Sequence, residues 1–163
     1  EFIIFCGVHF MAESEDNLTS DSQKVILPDL AARCSMADMA THAQVEDAWD
    51  SLKALKVAEK TIPVTYMNSS AAIKAFTGRN GGTVCTSSNA KTALKWAFDR
   101  GEKVLFLPDQ HLGRNTAVRE MGFSLAECAI FDPWKPQGGL TDAEIAAGMY
   151  KGLLHGIPFG AKV

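Results

Sequence analysis

The sequence predicts an α/β fold of layered parallel sheets flanked by helices. Short, continuous apolar runs such as VLFLP at 104–108 suit strands covered on both faces. Such runs alternate with segments of helical period along most of the 163 residues, which calls for right-handed βαβ crossovers. Pro28, Pro108 and Pro133 each fall at a strand end, where the chain must turn.

Taken in order, strand-like runs occupy residues 2–8, 24–27, 62–66, 83–85, 104–107 and 126–131. Helical periodicity marks residues 36–55, 71–76, 90–100, 114–121 and 142–154. Capping residues stand where several of these helices begin. Ser35 precedes MADM, and Asn89 precedes AKTALKWAF. Thr141 opens TDAE with Glu144 three residues on, the pattern of a capping box. Gly78, Gly81 and Gly82 predict a loop over 77–83. VILPDLAARCSMADM and VLFLPDQHLGRNTAVREM share a strand, a Leu-Pro-Asp corner, a short loop and a helix. They read either as two copies of one α/β layer or as convergent punctuation.

Composition narrows the function. With 47% hydrophobic and 21% charged residues, the chain carries enough apolar surface to offset its conformational entropy and is not expected to be disordered. No apolar run reaches the roughly 18 residues of a membrane-spanning helix. A net charge of −3 leaves no electrostatic footprint for nucleic acid. Residues 1–50 hold 10 acids and 2 bases, whereas 51–163 hold 9 acids and 14 bases. That asymmetry suits either a solvated surface or a later segment that handles small anions. The chain opens on EFIIFCGV without an initiator Met and closes on LLHGIPFGAKV, so it is expected to be a piece of a longer protein.

In open α/β sheets, ligands bind outside the carboxyl ends of the strands. TYMNSS at 65–70 and CTSSNA at 85–90 both stand at such ends. Their phenol, amide and hydroxyls, with free N–H groups at a helix start, suit a carboxylate or phosphate; ordinary capping and turn chemistry would use the same residues. Of the four cysteines, Cys6 and Cys128 lie in apolar runs and are expected to be buried. Their spacing offers no C-x-x-C pair and no disulfide framework, which points to a cytoplasmic protein. Cys34 precedes a predicted helix, where a lowered thiol pKa favours a nucleophile or metal ligand, though a buried thiol fits as well. A zinc site lacks local partners, while iron–sulfur ligands need not be close in sequence. His9 and His111 are expected at core or corner positions. No G-x-S-x-G, Walker A or G-x-G-x-x-G pattern is present.

Five segments together, CGVHFMAE, LPDLAARCSMADM, VTYMNSS, VCTSSNA and FLPDQHLGRNTA, resemble the quinolinate synthase family of de novo NAD biosynthesis, in the family's order from residue 4 to about residue 152. The resemblance implies a transferase that condenses iminoaspartate with dihydroxyacetone phosphate to quinolinate. It implies three similar α/β layers around a central cavity, and a [4Fe–4S] cluster held by three cysteines whose open iron acts as a Lewis acid. A functional link to L-aspartate oxidase follows from it too, with no nucleic-acid or membrane partner.

Carried over by residue, Cys34 matches the first cluster ligand. Tyr66 and Asn68, with Met67 between them, match the motif that contacts the dicarboxylate, and Ser87 matches a hydroxyl that binds a substrate carboxylate. Cys85 matches no ligand and reads as structural. The resemblance divides the chain into 1–32, the end of a first α/β domain; 33–152, a second α/β domain with the strand-end motifs; and 153–163, a divergent tail. Leu154 stands where the family's second ligand cysteine is expected, and His155 does not fall on the family's histidine. With one of three ligands, the chain alone is expected to be inactive. The alternative is a non-catalytic module that binds a small dicarboxylate.

Overall fold

The computed structural model describes residues 1–147 and 153–155. Its strands form two parallel sheets. The smaller pairs β1 (Phe2–Ile4) with β2 (Lys24–Ile26), joined through helix α1 (His9–Leu18). The larger has five strands: β3 (Thr61–Tyr66), β4 (Thr83–Cys85), β5 (Lys103–Leu107), β6 (Cys128–Ile130) and β7 (Leu153–His155). Their spatial order is β4-β3-β5-β7-β6, every pair parallel. Helices α2 (His42–Ala54), α3 (Ala71–Arg79), α4 (Ala90–Phe98), α5 (Leu112–Met121) and α6 (Asp142–Ala147) complete the chain. The α/β class expected from the alternation is the one observed.

Strand β5 shows why a continuous apolar run was needed. Leu105 and Leu107 face one core cluster with Val45, Trp49, Leu52, Ile73, Phe76 and Ile145, from α2, α3 and α6. Val104 and Phe106 face the other, with Val64, Leu94, Ala97 and Ala117 from β3, α4 and α5. Side chains alternate faces along a strand, so a strand packed on both sides has no polar face to show. At its start, buried Lys103 donates from Nζ to the carbonyls of Ile145 and Ala146, at 3.3 and 2.9 Å. Those are carbonyls of the last turn of α6, where a cation complements the helix dipole.

Several boundaries differ from expectation. Residues 2–8 do not form one strand: β1 ends at Ile4 and α1 begins at His9. Helix α1 has no counterpart in the expected elements, because HFMAESEDNL buries only Phe10 and Ala12 and its apolar stripe is narrow. Residues 36–55 split into a 3₁₀ turn, Ala37–Met39, and α2, separated by Ala40 and Thr41 in extended conformation. Thr41 starts α2 with a reciprocal capping box to Gln44. Ser35 therefore caps nothing, and the residue before the 3₁₀ turn is Met36.

Helix α3 runs on to Arg79, through three residues of the expected loop. The cap at Thr141 forms as expected, with Glu144 accepting from the Thr141 N–H at 2.8 Å and Thr141 Oγ1 accepting from Glu144 N–H at 3.2 Å. Helix α6 is described over Asp142–Ala147 and does not reach 154, since 153–155 pair as a strand between β5 and β6. Leu154 and His155 thus lie in β7, and residues 156–163 of the expected tail lie outside the described residues. Cys6 is exposed and Cys128 half-buried, against the expectation that both are core residues. Cys6 lies past the end of β1, between it and α1.

Candidate functional site

The two polar motifs meet because their strands pair in register. Tyr66 stands opposite Cys85, and the pairing runs one step further, the Met67 N–H donating to the Cys85 carbonyl at 2.8 Å. TYMNSS and CTSSNA therefore emerge side by side at the carboxyl ends of β3 and β4. Tyr66, Met67 and Asn68 are half-buried. The turn behind them is tightly bonded. Fully buried Ser69 donates from Oγ to the Tyr66 carbonyl at 2.8 Å and accepts from Thr65 Oγ1 at 3.0 Å, and its N–H reaches the Met67 carbonyl at 2.9 Å. Ser70 then accepts from the Ile73 N–H and starts α3. A serine pair before a helical run signals such a cap in the sequence.

The second motif folds on itself. Asn89 Oδ1 accepts from the Thr86 N–H at 2.7 Å and from Thr86 Oγ1 at 3.1 Å, and the Thr86 and Ser88 hydroxyls lie 2.9 Å apart. Asn89 occupies the position before α4, as expected, but its side chain serves Thr86 and makes no hydrogen bond to the helix. Ser87 stays exposed beside this knot, its hydroxyl without a hydrogen bond among the described residues. Cys85 is buried, and that burial, reinforced by the charge of Asp109, pushes its thiol up to about 12. A thiol held neutral is inert, which agrees with a structural role.

Cys34 arrives from the other sheet. After β2, Asp29 Oδ1 accepts the Ala31 N–H at 2.8 Å, and the Ala32 carbonyl accepts the His9 N–H, also at 2.8 Å. The Cys34 carbonyl accepts from the Asp38 N–H at 3.0 Å, and Arg33 grips the Asp38 carboxylate with two bonds at 2.7 and 2.9 Å. That pairing raises the already high pKa of Arg33. The thiol is half-buried, and Asn68 donates from Nδ2 to its Sγ at 3.9 Å. Cys34 and Asn68 are thereby brought together from 34 positions apart. A cleft of about 180 Å³ opens beside them, lined among others by His9, Glu13, Cys34, Asp38 and Ser70.

His9 and His111 are exposed and sit at corners, at the starts of α1 and α5, so neither is a core histidine. A wider groove of about 610 Å³ between α2 and α3, lined by Glu46, Asp50, Trp49 and Phe76, contains none of the strand-end residues. Among the described residues, no three His, Cys, Asp or Glu side chains gather as a metal site. Cys34 alone is one thiolate, and the described donor set does not fit an iron–sulfur cluster, which needs several. No helix among the described residues is long and apolar enough to cross a membrane.

Comparison with known proteins bears on the whole arrangement. The family model described as quinolinate synthetase A protein matches residues 1–140. The quinolinate synthase of Streptomyces coelicolor is 68% identical over 145 residues, covering 89% of this chain and 37% of that protein. That of Nocardioides sp. is 65% identical over 153 residues, covering 90% and 39%. That of Corynebacterium glutamicum is 59% identical over 145 residues, covering 89% and 36%. The chain spans well under half the length of these relatives.

Proposed function

The chain belongs to the quinolinate synthetase A family, and on that premise we propose that the protein containing it is a quinolinate synthase of NAD biosynthesis. The reaction joins iminoaspartate to dihydroxyacetone phosphate. One carbon–carbon bond and one carbon–nitrogen bond close the ring, while phosphate and two waters leave, so no external oxidant is needed. The observation that carries the reading is the approach of the Asn68 amide to the Cys34 thiol at 3.9 Å, beside the paired ends of β3 and β4.

In this reading the Asn68 amide and the Tyr66 phenol orient the dicarboxylate, with Met67 between them against its carbon skeleton. The Ser87 hydroxyl, free of internal bonds, takes one carboxylate near the start of α4, where the helix dipole favours an anion. Cys34 is one ligand of a [4Fe–4S] cluster whose remaining thiolates lie outside the described residues, so the cluster belongs to the whole protein. Residues 1–32 and 33–152 act as parts of two successive α/β domains. The protein is cytoplasmic, and its iminoaspartate comes from an aspartate-oxidising enzyme such as L-aspartate oxidase.

The single thiolate supports a second reading for the chain by itself: an α/β module that binds a small dicarboxylate without iron. Anaerobic reconstitution of the purified chain with iron and sulfide, followed by visible absorbance and iron content, tests the ligand count on which both readings rest. No stable cluster is expected on the chain alone, and a stoichiometric one would overturn the ligand count. Titration calorimetry with malate is expected to show binding that Asn68→Ala and Ser87→Ala each weaken about tenfold, the loss of one hydrogen bond to a charged group. Unchanged affinity in both variants would overturn the assignment of the carboxylate site.

A further inference from the structure

The candidate site is built from two units, and few polar contacts tie them. Glu13, half-buried on α1, accepts the backbone N–H of Ala71 at Oε2, 2.9 Å away. Ala71 is the first residue of α3, so its N–H has no partner within the helix, and a carboxylate there also meets the favourable end of the helix dipole. One turn along, Lys74 donates from Nζ to Ser14 Oγ at 2.7 Å and stands 5.3 Å from the centre of the Phe10 ring. Burial lowers the pKa of Lys74, and the nearby charge of Glu13 partly restores it.

The position of this clasp matters more than its strength. Ala71 directly follows the turn whose bonds through Ser69 hold Asn68 in place. On the opposite side, the first N–H of α1, that of His9, holds the Ala32 carbonyl, two residues before Cys34. Glu13 therefore stands one helical turn from the anchor of the thiol loop and one bond from the end of the amide turn. Glu13 and Ser70 also line the same cleft as Cys34.

We infer that Glu13 is a positioning residue: through the Ala71 N–H it holds the 67–70 turn against α1, so that the Asn68 amide faces the Cys34 thiol. The inference rests on the reading of Cys34 and Asn68 as parts of one site.

The test is thiol alkylation of the 163-residue chain by iodoacetamide under native conditions, with the rate at each cysteine read by mass spectrometry. Buried Cys85 reports global opening in the same sample. Glu13→Ala is expected to speed alkylation of Cys34 about tenfold while Cys85 keeps its rate, as local release of a charge-assisted hydrogen bond predicts. Glu13→Gln retains an oxygen that accepts the Ala71 N–H and is expected to restore the wild-type rate. Ala71→Pro removes the donor instead. Proline is tolerated at the first helical position, and Ser70, at φ −65° and ψ 157°, already has the conformation required before one. It is expected to reproduce the Glu13→Ala result.

An unchanged Cys34 rate in Glu13→Ala overturns the inference, and so does a Glu13→Gln chain that behaves like Glu13→Ala. Should Glu13→Ala not fold, Ala71→Pro decides by the same criterion. The readout is thiol chemistry on the chain alone, so its failure is distinct from a failure of the proposed reaction.

Discussion

Two Leu-Pro-Asp corners share one local hydrogen bond at very different depths. In the first, Asp29 Oδ1 accepts the Ala31 N–H, two residues on. In the second, Asp109 Oδ1 accepts the N–H groups of His111 and Leu112 at 2.6 and 3.0 Å, two and three residues on. The local bond is shared, and the surroundings are not. Asp29 and Leu30 are exposed, whereas Leu107 and Asp109 are buried, and the Leu107–Pro108 peptide is cis. Strand β2 pairs only with β1, while β5 lies between β3 and β7 with helices on both faces. The tripeptide supplies the local bond, and the neighbours of its strand decide what the corner is worth. The buried corner runs directly into α5. The exposed one gives way to irregular backbone, and that irregular stretch holds the candidate thiol.

The sharpest way to break the comparison is at matched strand positions one residue before each motif. Phe106 is fully buried, and Phe106→Ala is expected to cost about 3–5 kcal/mol in urea denaturation. Ile26 is 44% exposed, and Ile26→Ala is expected to cost about 1 kcal/mol or less. Equal losses would mean that the small sheet is packed as tightly as the large one. A smaller contrast is expected at the corner carboxylates. Asp109→Ala leaves two N–H groups uncapped in a buried place and should cost about 2 kcal/mol, against about 0.5 kcal/mol for Asp29→Ala.

The smallest effect concerns the fully exposed cap of α6, which sharpens the contrast with a carboxylate buried at its corner. Hydrogen bonds from the Thr141 backbone and hydroxyl hold Glu144 below its ordinary value of 4.5. Its folded pKa is depressed, so the cap is fully present above the ordinary value and is lost as pH falls through the folded one. Amide-exchange protection in α6 should therefore stay level from neutral pH to about 5 and decline only below the ordinary glutamate range. Thr141→Ala removes the hydroxyl bond but keeps the backbone one and should weaken that pH dependence, whereas Glu144→Gln should abolish it.

What could be seen in the sequence followed from patterns that one element carries by itself. Each of the six expected strands contains an observed strand, but 2–8 is one only over Phe2–Ile4, and 126–131 begins as a 3₁₀ turn at Leu125–Glu127 and pairs only from Cys128. Apolar runs such as VLFL leave a strand few alternatives once helices cover both faces. Helix α1 was hidden because an amphipathic stripe that buries two residues barely differs from a polar loop. The break at Thr41 was visible as T-x-x-Q, a capping box inside an otherwise continuous helical period, and the periodicity masked it. At the site, the strand-end motifs were legible because strand ends are marked locally. The contact of Asn68 with Cys34 was not, since it depends on how α1 packs on α3. Glu13 was invisible for the same reason: its partner is a backbone N–H, which leaves no residue type to notice.

The ties that join the two units also have a kinetic side. Lys74 meets Ser14 across 60 positions, Ala71 meets Glu13 across 58, and Asn68 meets Cys34 across 34. The first two chords overlap, and the third lies inside both. The entropy of closing a loop grows only logarithmically, by about 0.6 kcal/mol per doubling of length, so whichever chord forms first bears nearly the whole cost. The other two then close over short remaining segments. During synthesis none can form until Asn68 has emerged, by which time the thiol loop has waited through the making of α2 and β3. The pocket is thus expected to assemble as a late, zipper-like event in folding.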